Sequence, residues 1–175
     1  MNVAIIGAGP LGRWLALRAA RSGFNVFLED VMPSTLHHAR ETIRRQLDAE
    51  ALGHEHVAFM STIEDAVRSA DLIIDCVPDE LESKLEILWL LDRMAPPLAI
   101  FATPTTQLSI ADLGSCTYRP QQCIAIAARP DSLATLEPGD TIPLRPAAAT
   151  SPETIDKVTG FWRALGFLPD LLATA

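Results

Sequence analysis

The chain is short of positive charge: 14 Lys and Arg stand against 22 Asp and Glu, for a net charge of −8. That balance argues against wrapping nucleic acid or docking on an anionic membrane. Cysteine is scarce. Cys76, Cys116 and Cys123 show no CxxC spacing, so the sequence suggests neither a zinc site nor a redox pair. An odd number of thiols suits a reducing, cytoplasmic setting better than a disulfide scaffold. No run of 18 apolar residues occurs, so no membrane span is expected. The apolar start MNVAIIGAGPLG lacks the basic leader of a signal peptide. Internal repeats and low-complexity blocks are also missing.

What is present is a hydrophobic fraction of 49% in 175 residues, enough for one domain with a proper core. Short apolar runs at 2–6, 25–29, 56–60, 71–77, 98–103 and 123–128 read as strands. A seventh is expected within 140–146, in a Pro- and Ala-rich region of loops. Helices are expected at 10–22, 33–53, 62–69, 79–94, 109–114 and 151–166. Ser34 is the expected cap of the second and Ser151 or Thr150 of the last. Strands alternating with helices predict a Rossmann-type, doubly wound and mostly parallel α/β sheet, with helices on both faces and a long helical insertion after the second strand.

One motif carries chemistry. Gly7-Ala8-Gly9-Pro10-Leu11-Gly12 is a G-x-G-x-x-G that follows a predicted strand and opens a predicted helix. Asp30 ends the next strand 18 residues after Gly12. That context fits a dinucleotide fingerprint. Gly7 permits a tight turn, Gly9 lets backbone approach a pyrophosphate, and Gly12 lets helix and strand pack closely. Free N–H groups at the helix start favour the phosphates. Asp30 would accept hydrogen bonds from the adenosine ribose and repel a 2′-phosphate, which points to NAD over NADP. Were the glycines only a compact turn, strand, turn, helix and acid would have no reason to agree. The opening GAGP is shared with FAD folds, but those need a much longer chain.

Three later stretches, ADLIIDCVPDELESKLEIL, FATPTTQLSIADL and RPQQCIAIAARP, together resemble the NAD-binding domain of 3-hydroxyacyl-CoA dehydrogenases. The resemblance runs from Asn2 to about Leu168. It implies an NAD-dependent oxidoreductase of fatty-acid metabolism, and further cofactor contacts at Val77, Pro78, Asp79, Lys84, Thr103 and Thr106. Thr106 stands in the stretch that holds the substrate hydroxyl in that family. The same resemblance implies a catalytic histidine in a His-Phe-Phe-Asn-Pro sequence, with a glutamate about a dozen residues on. Counting from Thr106 without gaps puts Ala127 at the histidine. All four histidines (His37, His38, His54, His56) precede residue 57.

The resulting expectation is a single dinucleotide-binding domain, 1–175, without the family's C-terminal helical domain and catalytically impaired. The alternatives are a non-catalytic NAD-binding sensor or partner-binding module, and a dehydrogenase of another small substrate with Thr106 and Lys84 in its site. No metal site is expected, since adjacent His37 and His38 point about 100° apart on a helix. Arg40, Arg44 and Arg45 are candidates for the phosphates of an acyl-CoA. The stripe Leu81, Leu85, Leu88 and Trp89 reads as core. The apolar end, from Trp162 through Leu172, is the candidate surface for a partner or a second copy.

Overall fold

The protein is described by a computed structural model over residues 1–174. Its chain forms one sheet of eight strands: β1 (Asn2–Ile6), β2 (Asn25–Glu29), β3 (Val57–Met60), β4 (Leu72–Asp75), β5 (Ile100–Pro104), β6 (Cys123–Ile126), β7 (Thr141–Pro146) and β8 (Leu168–Leu171). The strand order is β3-β2-β1-β4-β5-β6-β7-β8. Only β6 and β7 pair antiparallel. The strands of the parallel part are apolar along almost their whole length, because helices cover both faces.

Alternation along the strands divides the core into two. Val3, Ile5, Val26 and Leu28 face α1 (Pro10–Arg21), α2 (Pro33–Ala49) and α7 (Pro152–Ala164). Ala4, Ile6 and Ile73 face α3 (Ile63–Val67), α4 (Leu81–Met94) and α5 (Ile110–Ser115). The insertion after β2 is an amphipathic helix. Leu36, Ala39, Ile43 and Leu47 recur at helical spacing and bury against the first of these cores. Trp14 meets Trp162 and Phe167, and Trp162 meets Phe161 and Phe167, with ring centroids 5.3–6.5 Å apart.

Several expectations need correction. Ser34 does not cap α2. Met32 stands at the cap with Pro33 behind it, and no side chain accepts there. The same helix stops at Ala49, before Gly53. Ala51 adopts a left-handed φ of 55°, and the Leu52 N–H closes on the Leu47 carbonyl at 2.9 Å. Ala51 thus takes the place that glycine usually fills at a helix end. Ser151 does cap α7, accepting from the Thr154 N–H at 3.2 Å. Three elements stand where no regular structure was expected: a single 3-10 turn at Pro120–Gln122, a short helix, α6 (Pro130–Leu133), and β8.

The stripe on α4 also differs. Leu81 and Trp89 are exposed, and the buried face is Lys84, Ile87, Leu88 and Leu91. Trp89 instead lies under the Arg93 guanidinium at 4.6 Å. At the other end of the chain, Trp162, Leu165 and Phe167 are core, and only Leu168 and Leu171 are exposed. Pro169 sits in β8, the outermost strand. A proline there has no N–H to offer a further strand.

Candidate functional site

The strand order reverses direction at β1 and β4, the topological switch where an open α/β sheet leaves a crevice beyond its strand ends. A cleft of about 550 Å³ lies there. Gly7 and Gly9 enter it from the end of β1, Glu29 and Asp30 from β2, and Cys76, Val77 and Pro78 from β4. Ile63, Ile87 and Leu90 form an apolar wall.

The glycines are required by geometry. Gly7 has φ of 103°, and a Cβ there would touch the Cys76 carbonyl at 3.4 Å. A Cβ on Gly12 would lie 1.9 Å from the Gly7 carbonyl oxygen, so helix and strand could not pack as they do. Around Gly9 there is open space to 4 Å, which leaves its backbone approachable. Leu11 and Gly12 occupy the first turn of α1, where N–H groups have no intrahelical acceptor. Pro10, ahead of them, supplies a fixed φ and no N–H. No acid stands in that turn, so its positive end is left for an anion. Arg13 braces the bend, donating to the Ala8 carbonyl at 3.1 Å.

Asp30 faces the same bend. One carboxylate oxygen accepts the Ala8 N–H at 2.8 Å, and the other accepts the Met32 N–H at 2.8 Å. The acid therefore stands oriented beside the glycines. A glycine bend at a helix start free of acids, an adjacent oriented acid and an apolar wall fit an adenine dinucleotide. A 2′-phosphate would meet the Asp30 carboxylate.

Further along the strand ends, the Thr106 N–H donates to Asp79 at 3.2 Å and ties the loops after β4 and β5 together. The second Asp79 oxygen is buried without a partner. Thr105 accepts from the Leu108 N–H at 3.1 Å and shapes the turn. Thr103 is buried, and its hydroxyl has no partner. Ala127 follows β6, with its N–H held by the Pro143 carbonyl at 2.8 Å.

Gly7, Gly9, Asp30, Val77 and Pro78 thus share one cleft, with Pro10, Leu11 and Gly12 as its floor and helix start. Asp79, Thr103 and Thr106 lie along the neighbouring strand ends. Lys84 belongs to neither group. Its ammonium is fully buried and pairs with Asp75 at 2.5 Å, so it ties α4 to β4 and does not line the cleft. His37 and His38 are exposed on α2.

Sequence reasoning missed Glu29 as a cleft residue. Burial, and then the Asp30 charge, push the Glu29 carboxyl up to about 7. Burial and the Asp75 charge push the Cys76 thiol up, so it is a neutral group in the wall. The signal for Glu29 was available: an acid at an alternate, core-facing position of an apolar strand.

The sequence profile described as the 3-hydroxyacyl-CoA dehydrogenase NAD-binding domain matches residues 2–169. The chain belongs to the 3-hydroxyacyl-CoA dehydrogenase family. It is that family's NAD-binding oxidoreductase domain. Among curated relatives, 5-formyl-3-hydroxy-2-methylpyridine 4-carboxylate 5-dehydrogenase of Mesorhizobium japonicum is 30% identical, over 96% of this chain and 56% of its own. The L-carnitine dehydrogenase of Burkholderia mallei is 30% identical, over 95% and 53%. The chain spans about half the length of the curated relatives it matches. A solved diketoreductase superposes with a TM-score of 0.85 at 27% identity, covering all of this chain and 65% of the other.

Proposed function

We propose that this family domain binds NAD across the switch-point cleft and serves a 3-hydroxyacyl-CoA dehydrogenase-like oxidoreductase of fatty-acid metabolism whose proton transfer is impaired. The Gly7–Gly12 bend would hold the pyrophosphate and Asp30 the adenosine ribose. The loops at Val77–Asp79 and at Thr103 and Thr106 would line the nicotinamide end. Hydride chemistry is supplied by the cofactor when bound, while the protein positions it and manages the proton. The supporting observation is Ala127, at the family's histidine by ungapped count: a methyl group cannot exchange a proton. Thr106 is exposed beside the bend of the next loop and suits hydrogen bonding to a substrate hydroxyl, but it is too weakly acidic to act as a base. Losing a general base costs about 10²–10⁴ in rate.

Arg44 and Arg45 are exposed on α2 and support a contact with acyl-CoA phosphates. Exposed Leu168 and Leu171 support a partner or second copy at the chain's apolar end. The three free thiols, Cys76, Cys116 and Cys123, suit the cytoplasm. Membrane-spanning helices do not occur among the described residues. A second reading, an NAD-binding sensor without chemistry, is favoured by the same alanine.

The test is NADH oxidation with acetoacetyl-CoA. The protein should bind NADH by calorimetry yet turn over slowly, and Ala127→His should raise the rate at least tenfold. Turnover at an ordinary enzymatic rate by the unaltered protein would refute the impairment. Absence of any turnover, with NADH bound and Ala127→His silent, would favour the sensor.

A further inference from the structure

Glu29, Asp75 and Asp92 are the buried acids among the described residues. Asp75 holds Lys84, and Asp92 holds Arg119 at 2.8 Å. Among the described residues the Glu29 carboxyl, on a residue only 4% exposed, is shifted by burial and the Asp30 charge and by no cation or hydrogen-bond donor. The residue lines the cleft beyond the strand ends. Alternation at the end of β2 turns it to the face opposite Asp30, toward the apolar wall formed by Ile63, Ile87 and Leu90. The other polar groups that line the same cleft are neutral or acidic: Asp30 beside it in sequence, Thr35 from α2, Cys76 beyond β4, and Ser83 and Glu86 from α4, with Ile63 and Ile6 from α3 and β1. An ion in that position would be buried without compensation, and a neutral acid is favoured.

We propose that Glu29 is the adenine-reading residue of the cleft: as a neutral carboxylic acid it donates its O–H to a ring nitrogen of the base and accepts from the 6-amino group. The inference rests on the NAD reading of the cleft. A neutral carboxyl presents one donor and one acceptor side by side, the pattern by which an Asn or Gln amide grips adenine. A carboxylate presents acceptors only and would face the ring nitrogen's lone pair. The flat apolar wall suits the faces of the base, and the acid supplies the polar edge such a slot needs. Binding should therefore hold a proton on Glu29 and weaken as pH rises through its ionisation near neutrality.

The experiment is calorimetric titration of the full chain with NAD between pH 6 and 8.5, in buffers of differing ionisation enthalpy. The unaltered protein should bind about tenfold more weakly at the upper end and take up protons on binding near pH 7.5. Glu29→Gln, a permanent donor–acceptor pair, should bind tightly at every pH with no proton uptake. Glu29→Leu, checked for folding by circular dichroism, should bind weakly and without pH dependence. If Glu29→Leu binds at pH 6 as tightly as the unaltered protein, the carboxyl makes no contact and the proposal fails. Should Glu29→Leu not fold, the comparison of Glu29→Gln with the unaltered protein still decides. NAD binding that is flat with pH in the unaltered protein overturns this inference alone, whereas no NAD binding at all overturns the cofactor reading as well.

Discussion

The ends of β1, β2 and β4 differ in kind from the ends of β5 and β6. The first group presents a glycine bend, a helix start free of acids, Asp30 and Glu29 around one cleft. The second presents Thr105, Thr106, Ala127 and Ala128. One side of the crevice carries the groups proposed to bind phosphate, ribose and base. The other carries hydroxyls and methyls, which hold shape but exchange no proton near neutral pH. On the proposed reading, cofactor binding and proton transfer are separable in this domain, because they would be built on different strands.

The largest effect that would break this contrast is expected at Gly12. Gly12→Ala drives a Cβ into backbone 1.9 Å away and should cost about 3 kcal/mol or more of stability. Urea unfolding would measure it, together with loss of NAD binding. Asp30 comes next. Asp30→Asn should weaken NAD by about 10-fold and narrow its advantage over NADP, read by calorimetry with both. Equal binding of the two by the unaltered protein would remove the role given to Asp30.

The smallest effect sharpens the comparison without any ligand. Glu29 titrates near 7 in the folded chain, against 4.5 ordinarily. The folded state therefore holds the proton more tightly. Its contribution to stability is fully present below pH 4.5, falls as pH rises, and is gone above about 7. Glu29→Gln should stabilise the protein at pH 8 by about 1–2 kcal/mol relative to its effect at pH 5, since cleft water softens the burial. Thermal unfolding at the two pH values would show it, and an equal effect at both would mean that the acid is not strained.

The binding half was legible because its signals are local. A glycine spacing, a strand before it and an acid after it sit within 30 residues, and each constrains backbone rather than packing. The less legible parts depend on contacts distant in sequence. Lys84 follows three acids at 79, 80 and 82, yet its partner is Asp75, reached only when α4 lies on β4. That pairing fixes the roll of the helix, which is why Leu81 and Trp89 face outward against the apolar stripe. β8 has a proline and an acid in four residues and exists because β7 offers it an edge. Glu29 was read only as the last residue of the strand, with Asp30 alone taken into the site, although the strand's alternation sends the two acids to opposite faces.

Asp30 has a further consequence. Both of its oxygens are already engaged by backbone N–H groups at 2.8 Å, so its side chain surrenders its rotamer freedom during folding. An arriving ribose would meet an acceptor that has no wobble left to lose, and its affinity would not be eroded by ordering that side chain.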